Sequence, residues 1–111
     1  MVKVKICGLS RRKDAKMAGA LGADMIGAIV EATVPTPRNL TLEQARDIFE
    51  NVEGPKKVAV TTPDSPASAE RIARRLRPDV LQIHSAMPVE QLKEVKELVS
   101  AEIIGVVQVP R

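Results

Sequence analysis

The stretch Lys3-Val4-Lys5-Ile6-Cys7-Gly8 puts a thiol at the end of a cleanly alternating segment. Successive side chains of a strand point to opposite faces, so Val2, Val4 and Ile6 share one face and Lys3, Lys5 and Cys7 the other. Two lysines and a thiol make a poor core face and a reasonable active-site floor. A thiol so placed can act as a base or a nucleophile, although a lone intracellular cysteine is more often an inert small hydrophobe. Further along, Arg38 follows a proline-rich loop, where it could clamp a carboxylate in bidentate fashion or simply cap the next helix. His84 shares a face with Gln82 and Val80. A single histidine is usually a hydrogen-bonded structural residue, and a metal site would need partners the sequence does not supply. Asp64, two residues ahead of Pro66, reads as a turn or cap residue. Neither a P-loop nor a GxGxxG stretch is present, and one cysteine excludes an intrachain disulfide or a CxxC metal pair.

The elements that must position these residues change period repeatedly. Strand-like runs fall at 2–7, 25–30, 57–62, 79–84 and 102–109, several of them rich enough in β-branched residues for strands buried on both faces. Helical patterns lie between them. The first is expected over 11–21, capped by Ser10 and stopped at Gly22. The second opens with a capping box, Thr41 to Gln44, and carries Leu42, Ala45, Ile48, Phe49 and Val52 on one stripe up to Gly54-Pro55. The third opens near Ser65-Pro66, and the fourth starts at Pro88 with Val89, Leu92, Val95, Leu98 and Val99 inward. The order βαβαβαβαβ means a parallel sheet with helical crossovers, either an open doubly wound sheet or part of a (β/α) barrel. Both architectures put chemistry beyond the carboxyl ends of the strands. Cys7-Gly8, the loop holding Arg38, Asp64, His84-Ser85, and finally Gln108, Pro110 and Arg111 fall there. "GAD" and "RPD" each set an aspartate at a helix-to-strand turn, which reads as turn chemistry.

The 111 residues make one domain, 1–111. One Phe with no Trp or Tyr leaves the core to Val, Ile, Leu, Ala and Met, and argues against single-stranded nucleic-acid binding, which rests on aromatic stacking. Arg71, Arg74, Arg75 and Arg77 fall on one helix and read as a solvated face rather than a nucleic-acid patch. The mild net charge of +3 suits a small anionic substrate. No run is long enough to span a membrane and the N-terminus lacks a signal-peptide core, so a cytoplasmic protein with no membrane partner is expected.

"KICG" closing the first strand, "GADMIGAIV" at the second, "TPR" after it and "DVLQIHS" at the fourth resemble the first half of phosphoribosylanthranilate isomerase. That enzyme of tryptophan biosynthesis is an eight-stranded (β/α) TIM barrel. The resemblance runs the whole chain and covers the family's first five strands, implying a partial barrel. It implies an Amadori rearrangement without a cofactor: an acid opens the ribose ring to an iminium, and a base removes the neighbouring carbon's proton. Cys7 is then the base, Arg38 holds the anthranilate carboxylate, and His84 supports the site wall; Lys5, beside Cys7, joins the substrate-binding candidates. The family's acid, an aspartate ending the sixth strand, and its phosphate site after the seventh and eighth have no counterpart before Arg111. The family's usual "GFIF" is "GAIV" here, its serine before "PR" is Thr36, and its asparagine after the third strand is Thr62.

The expectation is the N-terminal part of an isomerase, whether truncated, proteolysed or one piece of a split enzyme, carrying the base and inactive alone. A five-stranded arc leaves strand edges and an inner face open, so a homo-oligomer or pairing with a complementary C-terminal half is expected. Two other readings stay open. A flavodoxin-like binding or receiver module has five strands at this length, although "CGLS" lacks the acidic pair a receiver needs after its first strand. A non-catalytic half-barrel subunit would still attract anions.

Overall fold

The computed structural model describes residues 4–31, 39–85 and 87–105. Arg38, Lys3, Gln108, Pro110 and Arg111, all singled out in the sequence, lie outside the described residues. In chain order the elements are β1 (Lys5–Ile6), α1 (Arg12–Ala20), β2 (Met25–Val30), β3 (Asn39–Leu40), α2 (Leu42–Glu50), β4 (Lys56–Thr61), α3 (Pro66–Leu76), β5 (Val80–Ile83), α4 (Val89–Leu98) and β6 (Glu102–Gly105). All pairings are parallel and the sheet runs β1-β2-β4-β5-β6, with helical crossovers as the alternation requires. The two-residue β3 is an addition to the expected order. Ile29 pairs with Val60 on one side and with Asn39 on the other, so β3 lies on the β1 side of β2, further along it.

One face of the sheet is covered by helices. Ile26, Ala28, Val30, Ala59, Leu81 and Ile83 point there, all fully buried, against Ala15 of α1, Ile48 and Phe49 of α2, Ile72 of α3 and Val95 of α4. Each buried Ile or Leu contributes about 2 kcal/mol of transfer free energy. Alanine recurs at the contacts, with Ala15, Ala45 and Ala69 fully buried, so the helices pack closely without aromatic filler.

The turn aspartates act alike. Asp24 accepts from the Val4 N–H at 2.7 Å and Asp79 from the Lys57 N–H at 2.8 Å, so each satisfies the opening amide of the preceding neighbour strand. Thr41 and Gln44 form the full capping box of α2, and Ser65 caps α3 with Pro66 in its first turn. Two expectations need correction. The first helix starts at Arg12 with Arg11 as its cap residue and no side-chain cap bond, so Ser10 does not cap it. Pro88 is the cap residue of α4 rather than its first residue, and Val89 and Leu98 are exposed instead of inward. The cause is position: α4 packs on β6 and α3, the last strand and a single neighbouring helix, and only Val95 is fully enclosed. β6 is correspondingly thinly covered, with Ile103 half-buried and Glu102, Ile104 and Gly105 exposed. Among the described residues no helix is long and apolar enough to cross a membrane.

Candidate functional site

Among the described residues the second face of the sheet carries no helix, and Lys5, Cys7, Gln82 and His84 fall on it by register and alternation. Register places Lys5 opposite Met25 and Ile6 opposite Ile26, so Cys7 comes level with Gly27. Glycine inside a strand of otherwise bulky residues often marks a close approach. Here the approach is made by the thiol. A β-carbon at Gly27 would sit 3.1 Å from Cys7 Sγ and 3.4 Å from Lys5 Cε, so both side chains lie over the bare backbone of β2. The chain beyond Cys7 is tied to the same place, with the Leu9 N–H donating to the Gly27 carbonyl at 3.1 Å. Cys7 is exposed and unbridged.

Lys5 spans the face. Its Nζ donates to Gln82 Oε1 at 2.8 Å, linking β1 to β5 across residues 77 apart in sequence. The acceptor is a neutral amide, and the bond holds the long stem of Lys5 in one place on this face. His84 follows β5 directly; its N–H donates to the Thr61 carbonyl at 2.8 Å, and its exposed ring has no hydrogen bond among the described residues. The structure therefore joins Lys5, Cys7 and Gln82 and leaves His84 free two residues further along. Asp64 is not part of this group. Its Oδ1 accepts from Ser68 Oγ at 2.9 Å at the opening of α3, which is the turn-and-cap role the sequence indicates.

Two contributors escaped the sequence reading. Gln82 was visible only as a facial neighbour of His84, since nothing local shows that Lys5 reaches it. Gly27 carried a signal, a glycine within a β-branched run, which shows its partner only once register is known. Among the described residues no cluster of three or more His, Cys, Asp or Glu is placed to hold a metal. An exposed thiol with a fixed cation at the carboxyl end of a parallel strand can remove a proton from an anionic substrate drawn to that cation.

The family model for N-(5'-phosphoribosyl)anthranilate isomerase matches residues 4–111. The N-(5'-phosphoribosyl)anthranilate isomerase of Methanosarcina acetivorans is 37% identical over 111 residues, covering 97% of this chain and 46% of the relative. That of Haloferax volcanii is 38% identical over 112 residues, covering 98% and 48%. The phosphoribosyl anthranilate isomerase structure from Thermus thermophilus matches with a TM-score of 0.82 at 29% identity, over 97% of this chain and 52% of that one. An isomerase in complex with reduced 1-(o-carboxyphenylamino)-1-deoxyribulose 5-phosphate matches with a TM-score of 0.85 at 26% identity, over 100% and 56%. The chain spans about half the length of the relatives it matches.

Proposed function

Because the chain belongs to the phosphoribosylanthranilate isomerase family, we propose that it supplies the first half of an isomerase barrel, with Cys7 as general base. The observation that carries this reading is the exposed Cys7 thiol seated over Gly27 beside Lys5, at the carboxyl end of β1. The substrate is N-(5-phosphoribosyl)anthranilate. A general acid protonates the ribose ring oxygen, the bond from that oxygen to C1 breaks, and the anilino nitrogen's lone pair closes the C1 iminium. Cys7, as thiolate, takes the proton from C2, the C–H electron pair forms the C1–C2 double bond of an enolamine, and the iminium π pair returns to nitrogen. Tautomerisation gives the 1-amino-2-ketose. Oxidation at C2 balances reduction at C1 within one molecule, so no cofactor enters.

The other residues hold the substrate. Lys5, fixed by Gln82, gives the face its positive charge, Arg38 takes the anthranilate carboxylate, and His84 forms the wall at the end of β5. The acid and the phosphate site come from strands beyond the fifth of the barrel, so this chain is inactive alone. Its partner is a complementary C-terminal half, or a second copy standing in for one. The edge of β6 away from β5 has no strand among the described residues, and it is where either would add. A cytoplasmic setting goes with a small phosphosugar substrate and an unpaired thiol.

The test is reconstitution. The chain is assayed alone and mixed with the separately produced C-terminal half of the Methanosarcina acetivorans relative, following the loss of substrate fluorescence. Turnover is expected only in the mixture, and Cys7→Ser should abolish it. Undiminished turnover with Cys7→Ser removes the thiol from the mechanism; turnover by the unmixed chain removes the need for a second half.

A further inference from the structure

The arginines that read in sequence as a solvated helix face are joined in the fold by two cations from elsewhere. Arg74, Arg75 and Arg77, at the end of α3, meet Arg46 of α2 and Lys57 of β4 around a hollow of about 460 Å³. It lies at the opposite rim from Cys7, since Lys57 is at the start of β4 and Arg77 just precedes β5. It is therefore independent of the isomerase site.

Two carboxylates line the same hollow, and only Glu50 is neutralised by an ion pair, while Asp79 keeps its charge. Glu50 accepts from Arg46 Nε at 2.8 Å, and Asp79 accepts from the backbone N–H of Lys57 at 2.8 Å. Arg74 pairs with Glu70 at 2.9 Å. Lys57, Arg75 and Arg77 are left with no side-chain hydrogen bond or ion pair among the described residues. Three unpaired cations against one uncompensated carboxylate repel one another, and a bound anion would relieve that repulsion. Arg77 also holds a left-handed backbone with φ 49°, at a helix end where glycine or asparagine is usual. The floor, Phe49 and Leu76, is itself nearly buried, so it offers little apolar surface for a ligand to grip.

We propose that this hollow binds a small polyphosphate anion, recognised through a di- or triphosphate group by Lys57, Arg75 and Arg77. Guanidinium forks pair phosphate oxygens two at a time, and three unpaired cations against the single uncompensated carboxylate of Asp79 leave the hollow net positive, with more donors than one phosphate group needs. The group could be inorganic or part of a nucleotide, and the test separates these.

Calorimetric titration of the purified chain in 150 mM salt, on the order of physiological ionic strength, uses tripolyphosphate, pyrophosphate, ADP and, as ionic control, sulfate. Pyrophosphate and tripolyphosphate should saturate one site per chain and bind at least tenfold tighter than sulfate. Arg75→Gln with Arg77→Asn should weaken them at least tenfold, and Lys57→Gln, on a different element, should do likewise if the double variant fails to fold. Arg71→Gln should leave binding unchanged, because Arg71 pairs with Glu31 and lies outside the hollow. ADP bound as tightly as pyrophosphate assigns the site to the diphosphate group itself; ADP bound tenfold tighter assigns a nucleotide. Absence of saturable binding, affinity equal to that of sulfate, or indifference to the substitutions overturns the proposal.

Discussion

Replacing Gly27 by alanine tests whether the bare backbone of β2 seats the base. The added carbon would stand 3.1 Å from Cys7 Sγ and 3.4 Å from Lys5 Cε. An ordinary carbon contact is about 3.5–4.0 Å, so the thiol must retreat by about half an ångström. It has room to do so, because Cys7 and Lys5 are both exposed. Overpacking typically costs about 1–3 kcal/mol, and removing a glycine's freedom from the unfolded chain returns about 0.4–1 kcal/mol. With movable neighbours the sum should stay within about 1 kcal/mol of the parent. Catalysis is less tolerant. A reacting group misplaced by about 1 Å can lose about 100-fold, so half that shift predicts roughly a tenfold fall in kcat, or about 1.4 kcal/mol of barrier. KM should barely move, since no binding group is removed. The assay is turnover by the reconstituted halves, with melting temperature and the rate of Cys7 alkylation by iodoacetamide measured on the chain alone. Unchanged kcat and alkylation would refute the seating of the thiol by Gly27. A collapse in melting temperature with normal turnover in the surviving folded fraction would make Gly27 a packing residue only.

Thr61 is fully buried and its Oγ1 has no partner among the described residues, so Thr61→Val should stabilise the fold by about 1 kcal/mol in urea titration; a loss would mean the hydroxyl is satisfied after all. Thr41→Ala breaks the capping box of α2 and should cost about 1 kcal/mol, seen as a melting temperature lower by roughly 4–8 °C. Ile104 is 44% exposed on β6, and the proposed pairing at that edge would cover it. Ile104→Lys should shift sedimentation of the concentrated chain toward monomer, and an unchanged association would place the contact elsewhere.

Local chemistry was readable in the residues. Met25–Val30 falls where its β-branched run ends, Thr41 and Ser65 cap the helices they precede, and Asp24 and Asp79 sit at turns, because each signal acts within a few residues. What failed depends on neighbours in space. β3 is two residues long and exists only through its pairing with β2, so it has no period to detect. The apolar stripe of α4 promises a buried face, but among the described residues its main contacts are one helix, α3, and the thinly covered β6. The Lys5–Gln82 bond and the cation hollow join residues from separate elements, and alternation names the face without naming the partner. For Cys7, alternation gave the right face and register then supplied its neighbour.

The order of the sheet bears on how the molecule comes into being. Along β1-β2-β4-β5-β6 each strand pairs with the preceding strand of that path, the short β3 aside, and each of these pairings closes a loop of roughly 20–30 residues, a small and nearly constant entropic step. Among the described residues no strand waits for a distant partner. Assembly can therefore advance one strand and helix at a time as the polypeptide leaves the ribosome, with a single growth front. Among the described residues that front is β6, where the next strand of the series would be received.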